Sequence, residues 1–213
     1  MDQGPGSPHP SRAELCARAG ELLHRGNRRN PDVSLVEHAA GRVVVKDFAP
    51  RGVLVRAWLG PWLVSREVRA YRALAGHPSV PRLLGRIDRL AFAVEHRPGR
   101  RMSRKLADRV SPGFVASLEA AVREMHARGV VHLDLRHRSN VLLGEDGAPV
   151  LIDFASAVCF RPGGLAARFG LRLLSWVDRR AVEKWRRRLA PQASGSGGGS
   201  SAQAGSRGAS RPT

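Results

Sequence analysis

The feature that most constrains this chain is the stretch Val130-Val131-His132-Leu133-Asp134-Leu135-Arg136-His137-Arg138-Ser139-Asn140-Val141-Leu142-Leu143. A short apolar run feeds a polar loop, and a second apolar run leaves it. Asp146-Gly147 follows as a hairpin signal, because both residue types tolerate the positive φ of a tight primed turn. Val150-Leu151-Ile152 then delivers a second acid, Asp153, with Phe154 and Ala155 after it. Two carboxylates and one amide therefore stand at the ends of short strands.

Such a set suits one carboxylate that orients or accepts a proton and an oxygen pair that holds magnesium, which are the parts phosphoryl transfer from ATP needs. His132-Leu133-Asp134-Leu135, Asn140 and Asp153-Phe154-Ala155 together resemble the catalytic and metal loops of the protein-kinase superfamily. Two departures stand out. Ser139 occupies the register in which the family has its asparagine, so Asn140 reads as following one extra loop residue. Ala155 stands where the family usually has glycine.

Upstream, Val33-Ser34-Leu35-Val36 and Val43-Val44-Val45-Lys46 read as two strands around the break His38-Ala39-Ala40-Gly41. Only three of the 36 basic residues are lysines, Lys46, Lys105 and Lys184, so a lysine at a chosen place is informative. The resemblance implies that Lys46 pairs the α- and β-phosphates and that Glu67, 21 residues on, braces it. A solvated strand end and a helix-dipole acid are the plainer alternatives. No G-x-G-x-x-G run precedes Lys46, and Gly41 alone remains in the turn.

A helix is expected to begin near Ser65 as N-cap and to end at Gly76-His77-Pro78. Ser79-Val80-Pro81-Arg82-Leu83-Leu84-Gly85 follows as a kinase-like connection, and Ile87 to Val94 is expected to supply two strands. Glu95-His96-Arg97-Pro98-Gly99 resembles the hinge, where backbone groups of Glu95 and Arg97 would meet adenine. Pro112 to Arg128 carries Phe114, Val115, Leu118, Ala121, Val122 and Met125 on one stripe and ends at Gly129, which predicts a buried helix. Arg100 to Arg109 is a basic patch, either a solvated face or a contact for a phosphorylated acceptor.

Few residues remain after Asp153. Pro162-Gly163-Gly164 breaks the chain, and Leu165 to Leu189 reads as one or two basic helices with Phe169, Leu173, Trp176, Val177 and Trp185 inside. Residues 1–32 read as an extension with one short helix over 11–24, and 191–213 as a disordered Gly/Ser-rich tail. The trimmed pattern is similar to compact bacterial lipopolysaccharide-core sugar kinases (the Kdo and heptose group) and to RIO-type atypical kinases. That resemblance implies an α+β, bilobal protein-kinase-like fold. A small antiparallel-sheet N-lobe would span 33–95 and a shortened, mainly helical C-lobe 96–190, with ATP and Mg2+ between them. Asp134 would meet the acceptor hydroxyl, Arg136 would lean on the transferring phosphoryl group, and Asn140 and Asp153 would hold magnesium.

A chain of 213 residues with 42% hydrophobic content can bury one core. No apolar run approaches the roughly 18 residues a bilayer span needs, and Met1 to Pro10 carries no signal-peptide pattern. Cys16 and Cys159 lack metal spacing and read as free thiols of a reducing cytosol. The formal charge of +18 favours anionic partners, unless it reflects an arginine-rich codon bias. Trp58 and Trp62 lie near Arg51, Arg56 and Arg66. Trp176 and Trp185 lie near Arg172, Arg179, Arg180 and Arg186 to Arg188. Tryptophan and clustered arginine suit peripheral contact with an anionic membrane surface, here the inner face of the cytoplasmic membrane, and ordinary core packing is the alternative. The acceptor is expected to be a lipid-linked sugar or, as the second reading, a protein Ser/Thr. A non-catalytic anion binder is the third, and nucleic acid is disfavoured because no aromatics interleave a basic groove.

Overall fold

The structure, a computed structural model, describes residues 9–17, 20–38, 41–102, 106, 110–111, 113–160 and 165–189. The tail 191–213, the first eight residues, the Pro162-Gly163-Gly164 break and residues 103–105 and 107–109 of the basic stretch lie outside the described residues. The elements run α1 (Arg12–Ala17), β1 (Glu21–His24), β2 (Asp32–His38), β3 (Gly41–Asp47), α2 (Gly60–Ala73), β4 (Leu83–Arg86), β5 (Ala91–Glu95), β6 (Gly99–Arg101), α3 (Phe114–Ala127), β7 (Val130–Val131), β8 (Val141–Gly144), β9 (Pro149–Leu151), β10 (Val158–Cys159) and α4 (Leu165–Leu189). The class is α+β, with every strand pair antiparallel.

Five strands form the main sheet in the order β1-β2-β3-β5-β4. The period of two decides which way the valine run of β3 points. Val43 and Val45 share a small core with Val36 and Ala93, covered by Leu15 of α1. Val44 packs instead against the main core on the opposite face, and alternation puts Lys46 on that face too. The main core is continuous, from Phe92 and Val94 of the sheet through Val64, Val68 and Tyr71 of α2 and Leu118, Val122 and Met125 of α3 to Ala181, Val182 and Trp185 of α4.

Several sequence expectations are corrected. The region 11–24 is not one helix. α1 ends at Ala17 and Glu21–His24 pairs with β2 as an edge strand, because the free edge of β2 supplies the ladder that an isolated segment lacks. Ser65 does not start α2. A π-helical turn, Val55–Leu59, runs straight into Gly60–Ala73, and the Ser65 hydroxyl donates to the Pro61 carbonyl at 2.7 Å. Pro61, which has no N–H to donate, sits where the π-helical turn joins α2. The first strand of the pair expected over 87–94 lies earlier, at Leu83–Arg86.

α3 follows its stripe, with Phe114, Leu118, Ala121, Val122 and Met125 buried. Gly129 ends it at φ 79°, and a Cβ there would stand 2.7 Å from the Phe160 carbonyl oxygen, so only glycine fits. β8 and β9 form the expected hairpin, with Gly147 at φ 78°. In α4 only Trp185 of the expected apolar set is fully buried; Phe169, Leu173 and Trp176 are exposed and Val177 half-buried.

Candidate functional site

A cavity of about 560 Å³ lies between the sheet and the β8–β9 hairpin. Its apolar walls are Val33 and Val44 from β2 and β3, Val94 from β5, and Leu142 and Ile152 from the hairpin. Its polar groups are His24, Lys46, Tyr71, Glu95, His96, Arg97, Arg101, Ser139, Asn140 and Asp153. A mostly apolar cleft with a few convergent polar groups is the usual form of a small-molecule site, and the volume lies within the range that such sites span.

At one end, Lys46 Nζ donates to Glu67 Oε1 at 2.5 Å and to Asp153 Oδ1 at 2.7 Å. Glu67 comes from the buried face of α2, and Tyr71 lies one turn on. Burial disfavours the ammonium, but Glu67 and then Asp153 outweigh it and hold Lys46 well above the ordinary lysine range. Lys46 in turn holds the half-exposed Asp153 below the ordinary carboxylate value. Burial pushes Glu67 up and Lys46 opposes it; with two carboxylates on one ammonium, the proton stays on Lys46.

Asp153 adopts φ 66°, ψ 71°, a left-handed conformation that costs a non-glycine residue of order 1–3 kcal/mol and persists only where the surroundings enforce it. Ala155 is not among the positive-φ residues, so the absence of glycine there carries no strain. Phe154 is clamped between the ring of Tyr71, edge-on at 5.0 Å, and that of His132 at 4.7 Å. The Arg66 guanidinium reaches across from α2 to the carbonyl oxygens of Ser156 and Ala157 at 2.5 and 2.9 Å, which ties the segment after Asp153 to the helix that carries Glu67.

Asn140 is buried, and its amide nitrogen donates to the Asp134 carboxylate at 2.9 Å and to the Asp134 carbonyl at 3.0 Å. Its Oδ1 accepts from the Ser139 hydroxyl at 2.9 Å. Both Ser139 and Asn140 line the cavity, and it is Asn140 that ties the loop to Asp134. Asp134 itself sits at the rim, joined to the cavity through Asn140 rather than lining it. His132 braces the loop. Its Nδ1 accepts from the Asp134 N–H at 3.3 Å, so its Nε2 is the donor to the Ile152 carbonyl at 3.0 Å. Burial holds this imidazole below its ordinary pKa, in keeping with the neutral tautomer those bonds require.

Glu95 and Arg97 both line the cavity, as the hinge reading expects. The N–H groups of Glu95 and His96 are committed to Arg82 and Arg42 carbonyls at 2.9 and 3.2 Å. Among the described residues the N–H of Arg97 has no such partner, while the Arg97 guanidinium donates to the Pro78 carbonyl. Arg136 stands apart from the lining, exposed on the turn after Asp134.

Sequence reasoning missed two parts of this arrangement. The wall of the cavity includes Leu23 and His24 of β1, and the loop Arg25-Gly26-Asn27-Arg28-Arg29-Asn30-Pro31 joins β1 to β2. The turn signal Asn30-Pro31-Asp32 marked that hairpin. The other is Asp178 of α4, fully buried. It accepts from the His132 N–H at 2.8 Å, the Leu133 N–H at 2.9 Å and His126 Nε2 at 3.0 Å, and so holds the loop that carries Asp134. An acid in helical register with Ala181, Val182 and Trp185 was the available signal.

No protein-family model matches the chain. Over parts of its length it is similar to curated protein kinases. It is 28% identical over 166 residues to CBL-interacting serine/threonine-protein kinase 16 of Arabidopsis thaliana, covering 71% of this chain and 34% of that protein. It is 32% identical over 111 residues to calcium-dependent protein kinase 27 of Oryza sativa subsp. japonica, 47% of this chain and 18% of the relative. It is 32% identical over 81 residues to serine/threonine-protein kinase 16 of Mus musculus, 37% of this chain and 25% of the relative. The matches thus span about a third of these relatives' length or less, and with the mixed helix and antiparallel sheet they are compatible with a small protein-kinase-like domain.

Proposed function

We propose that the chain is an ATP- and Mg2+-dependent phosphotransferase that moves the γ-phosphate to a hydroxyl. The observation that carries this reading is Lys46, held between Glu67 and Asp153 at the end of an apolar cavity and tied through Asn140 to Asp134 at its rim. On this reading the fold is bilobal, the sheet and α2 forming one lobe and the remainder the other, with the nucleotide between them. Val33, Val44, Leu142 and Ile152 sandwich the adenine ring, and the main chain at Glu95 and Arg97 meets its edge. Lys46 binds the α- and β-phosphates, and Glu67 keeps it in place.

Asp153 and Asn140 supply a carboxylate and an amide oxygen, hard donors that suit Mg2+ and would hold it. The cation supplies neutralisation of the charge on the β/γ-phosphate oxygens. Asp134 takes the proton of the acceptor hydroxyl as its oxygen bonds the γ-phosphorus. The bond from that phosphorus to the β–γ bridging oxygen breaks, and ADP leaves with the electron pair. Arg136 neutralises the transferring group. Positioning and charge carry the rate.

The acceptor reading is a sugar on an envelope lipopolysaccharide, met by a cytoplasmic protein docked peripherally at the inner face of the membrane. Two exposed stripes support it. Trp58 is 79% and Trp62 56% exposed, Val53 and Leu54 are exposed just ahead of the π-helical turn that leads into α2, and Phe169, Leu173 and Trp176 line one face of α4. Arginines flank both stripes, with Arg66 over Trp62 at 5.1 Å and Arg180 over Trp176 at 4.1 Å. No helix among the described residues is long and apolar enough to cross a membrane. A compact serine/threonine protein kinase is the second reading, favoured by what the similar proteins are named.

The test is transfer from γ-labelled ATP to lipid-linked sugars and to generic protein substrates. Asp134→Ala is expected to lower turnover by about 10²- to 10⁴-fold, the usual worth of a positioned acid–base group, with nucleotide affinity nearly unchanged. Asp153→Ala weakens Mg2+-ATP binding itself. Turnover at the wild-type level from Asp134→Ala overturns the assignment.

A further inference from the structure

Arg66 takes no part in the transfer chemistry, yet it stands beside Glu67 on α2. Adjacent helical residues point about 100° apart, so Glu67 meets Lys46 while Arg66 reaches the segment that follows Asp153. Its guanidinium donates from Nε to the Ala157 carbonyl at 2.9 Å and from Nη2 to the Ser156 carbonyl at 2.5 Å. One planar fork thus holds two consecutive carbonyls, which a lysine ammonium on its flexible stem does not reproduce. Trp62 lies one turn earlier on the same helix, with the guanidinium carbon 5.1 Å from its ring centroid. The ring limits where the fork can go.

The two carbonyls belong to the backbone that leaves Asp153. That residue stands at φ 66°, a conformation that persists only where the surroundings enforce it. On its upstream flank the Ile152 N–H donates to the Asn140 carbonyl at 3.0 Å, and the Ile152 carbonyl accepts from His132 Nε2 at 3.0 Å. On its downstream flank the Ala157 N–H closes onto the Phe154 carbonyl at 3.0 Å, and Arg66 anchors that turn to α2. The pairing of β10 with β7 takes over only at Val158. Three residues of α2 therefore grip this stretch: Glu67 through Lys46, Tyr71 through the Phe154 ring and Arg66 through the backbone.

We propose that Arg66 is a positioning residue for the cation that accompanies the nucleotide: through the Ser156 and Ala157 carbonyls it holds Asp153 in the left-handed conformation that presents its carboxylate to Lys46 and to Mg2+. The assignment rests on the part of the phosphotransferase reading that makes Asp153 a Mg2+ ligand. Removing the fork leaves Lys46 paired with Glu67 and the apolar walls of the cavity in place. Nucleotide alone should then bind as before, and the loss should show only where Asp153 has a cation to hold.

The experiment is calorimetric titration of the full chain with a non-hydrolysable ATP analogue, once with Mg2+ and once with a chelator in its place. Wild-type affinity is expected to rise when Mg2+ is present. Arg66→Ala is expected to weaken the Mg2+-supported binding by about 10- to 100-fold, the usual cost of removing an outer partner of a metal ligand, and to leave metal-free binding unchanged. Arg69→Ala, at an exposed position of the same helix, should alter neither. Amide exchange at Phe154, Ala155 and Ala157 should accelerate in Arg66→Ala while that of β3 does not. Should Arg66→Ala fold poorly, Arg66→Lys carries the test: it keeps the charge but loses the fork, and an intermediate loss confined to the Mg2+ titration is expected. Equal weakening with and without Mg2+ would mark a merely structural residue and overturn the proposal. So would unweakened binding, unchanged exchange, or a wild-type protein whose nucleotide affinity ignores Mg2+. If the binding results hold and no labelled phosphate reaches any acceptor, Arg66 keeps its role and the phosphotransferase reading falls. If the wild type transfers phosphate and Arg66→Ala matches it in kcat and in the KM for Mg2+-ATP, the proposal falls and that reading stands.

Discussion

Two lysines of this chain sit in opposite electrostatic worlds. Lys46 is enclosed, with a carboxylate on either side at 2.5 and 2.7 Å. Lys184 is half-buried on α4, and Arg188 first among nearby arginines depresses its pKa. In the first site the desolvation of the charges is offset within the fold, so the geometry is ready before any ligand arrives. In the second the charges keep contact with solvent, and water and salt screen their repulsion. The ion triad at Lys46 is therefore part of the stability of the molecule, and Lys184 is nearly independent of it.

The largest expected difference follows directly. Lys46→Met leaves Glu67 and Asp153 as neighbouring carboxylates with Glu67 fully buried. It should cost about 3–5 kcal/mol, the usual consequence of removing one partner from a buried pair, and abolish phosphotransfer. Lys184→Met should change stability by less than about 0.5 kcal/mol, as surface substitutions do. Urea denaturation of both variants measures this, and equal losses would break the contrast.

Next in size is Asp178→Ala, which leaves two loop N–H groups and His126 without their acceptor. Each buried group stranded in this way costs about 1–3 kcal/mol. Amide exchange at His132 and Leu133 should accelerate well beyond that of β2 and β3, which marks local loosening of the loop that carries Asp134 rather than global softening.

A smaller effect separates the sites by pH. The folded-state pKa of Asp153 is depressed from its ordinary value of 3.8. Its contribution to stability is therefore complete above that value and lost as pH falls through the depressed one. Asp153→Asn should flatten the acid limb of a stability–pH profile below about pH 4, whereas Lys184→Met should leave that limb unchanged. An acid limb unaltered by Asp153→Asn would show that the ion triad does not stabilise the fold.

The smallest effect concerns the exposed stripes. Co-sedimentation with anionic vesicles should fall several-fold from low to physiological salt, with a residue of binding that Trp58→Ser and Trp62→Ser remove, since aromatic insertion resists screening and headgroup attraction does not. Protein that stays in the supernatant at both salt levels would remove the membrane reading.

What the sequence determined by itself was local and periodic. The valine alternation of β3 fixed the face on which Lys46 projects, Asp146-Gly147 set the hairpin that carries Asn140 and Asp153 on its flanks, and the stripe of α3 marked its buried side. Each rests on repeats of two or 3.6 residues or on turn chemistry, which act within a few positions of the chain. What lay further apart was decided only by tertiary structure. Glu21–His24 became a strand because β2 offered an edge, against the helical expectation for that region. Asp178 became the anchor of a loop 45 residues away, a pairing that no local period encodes. Phe169, Leu173 and Trp176 have the spacing of a buried face and are exposed nonetheless. Periodicity says that residues share a side of a helix, and only the packed neighbours decide whether anything covers it.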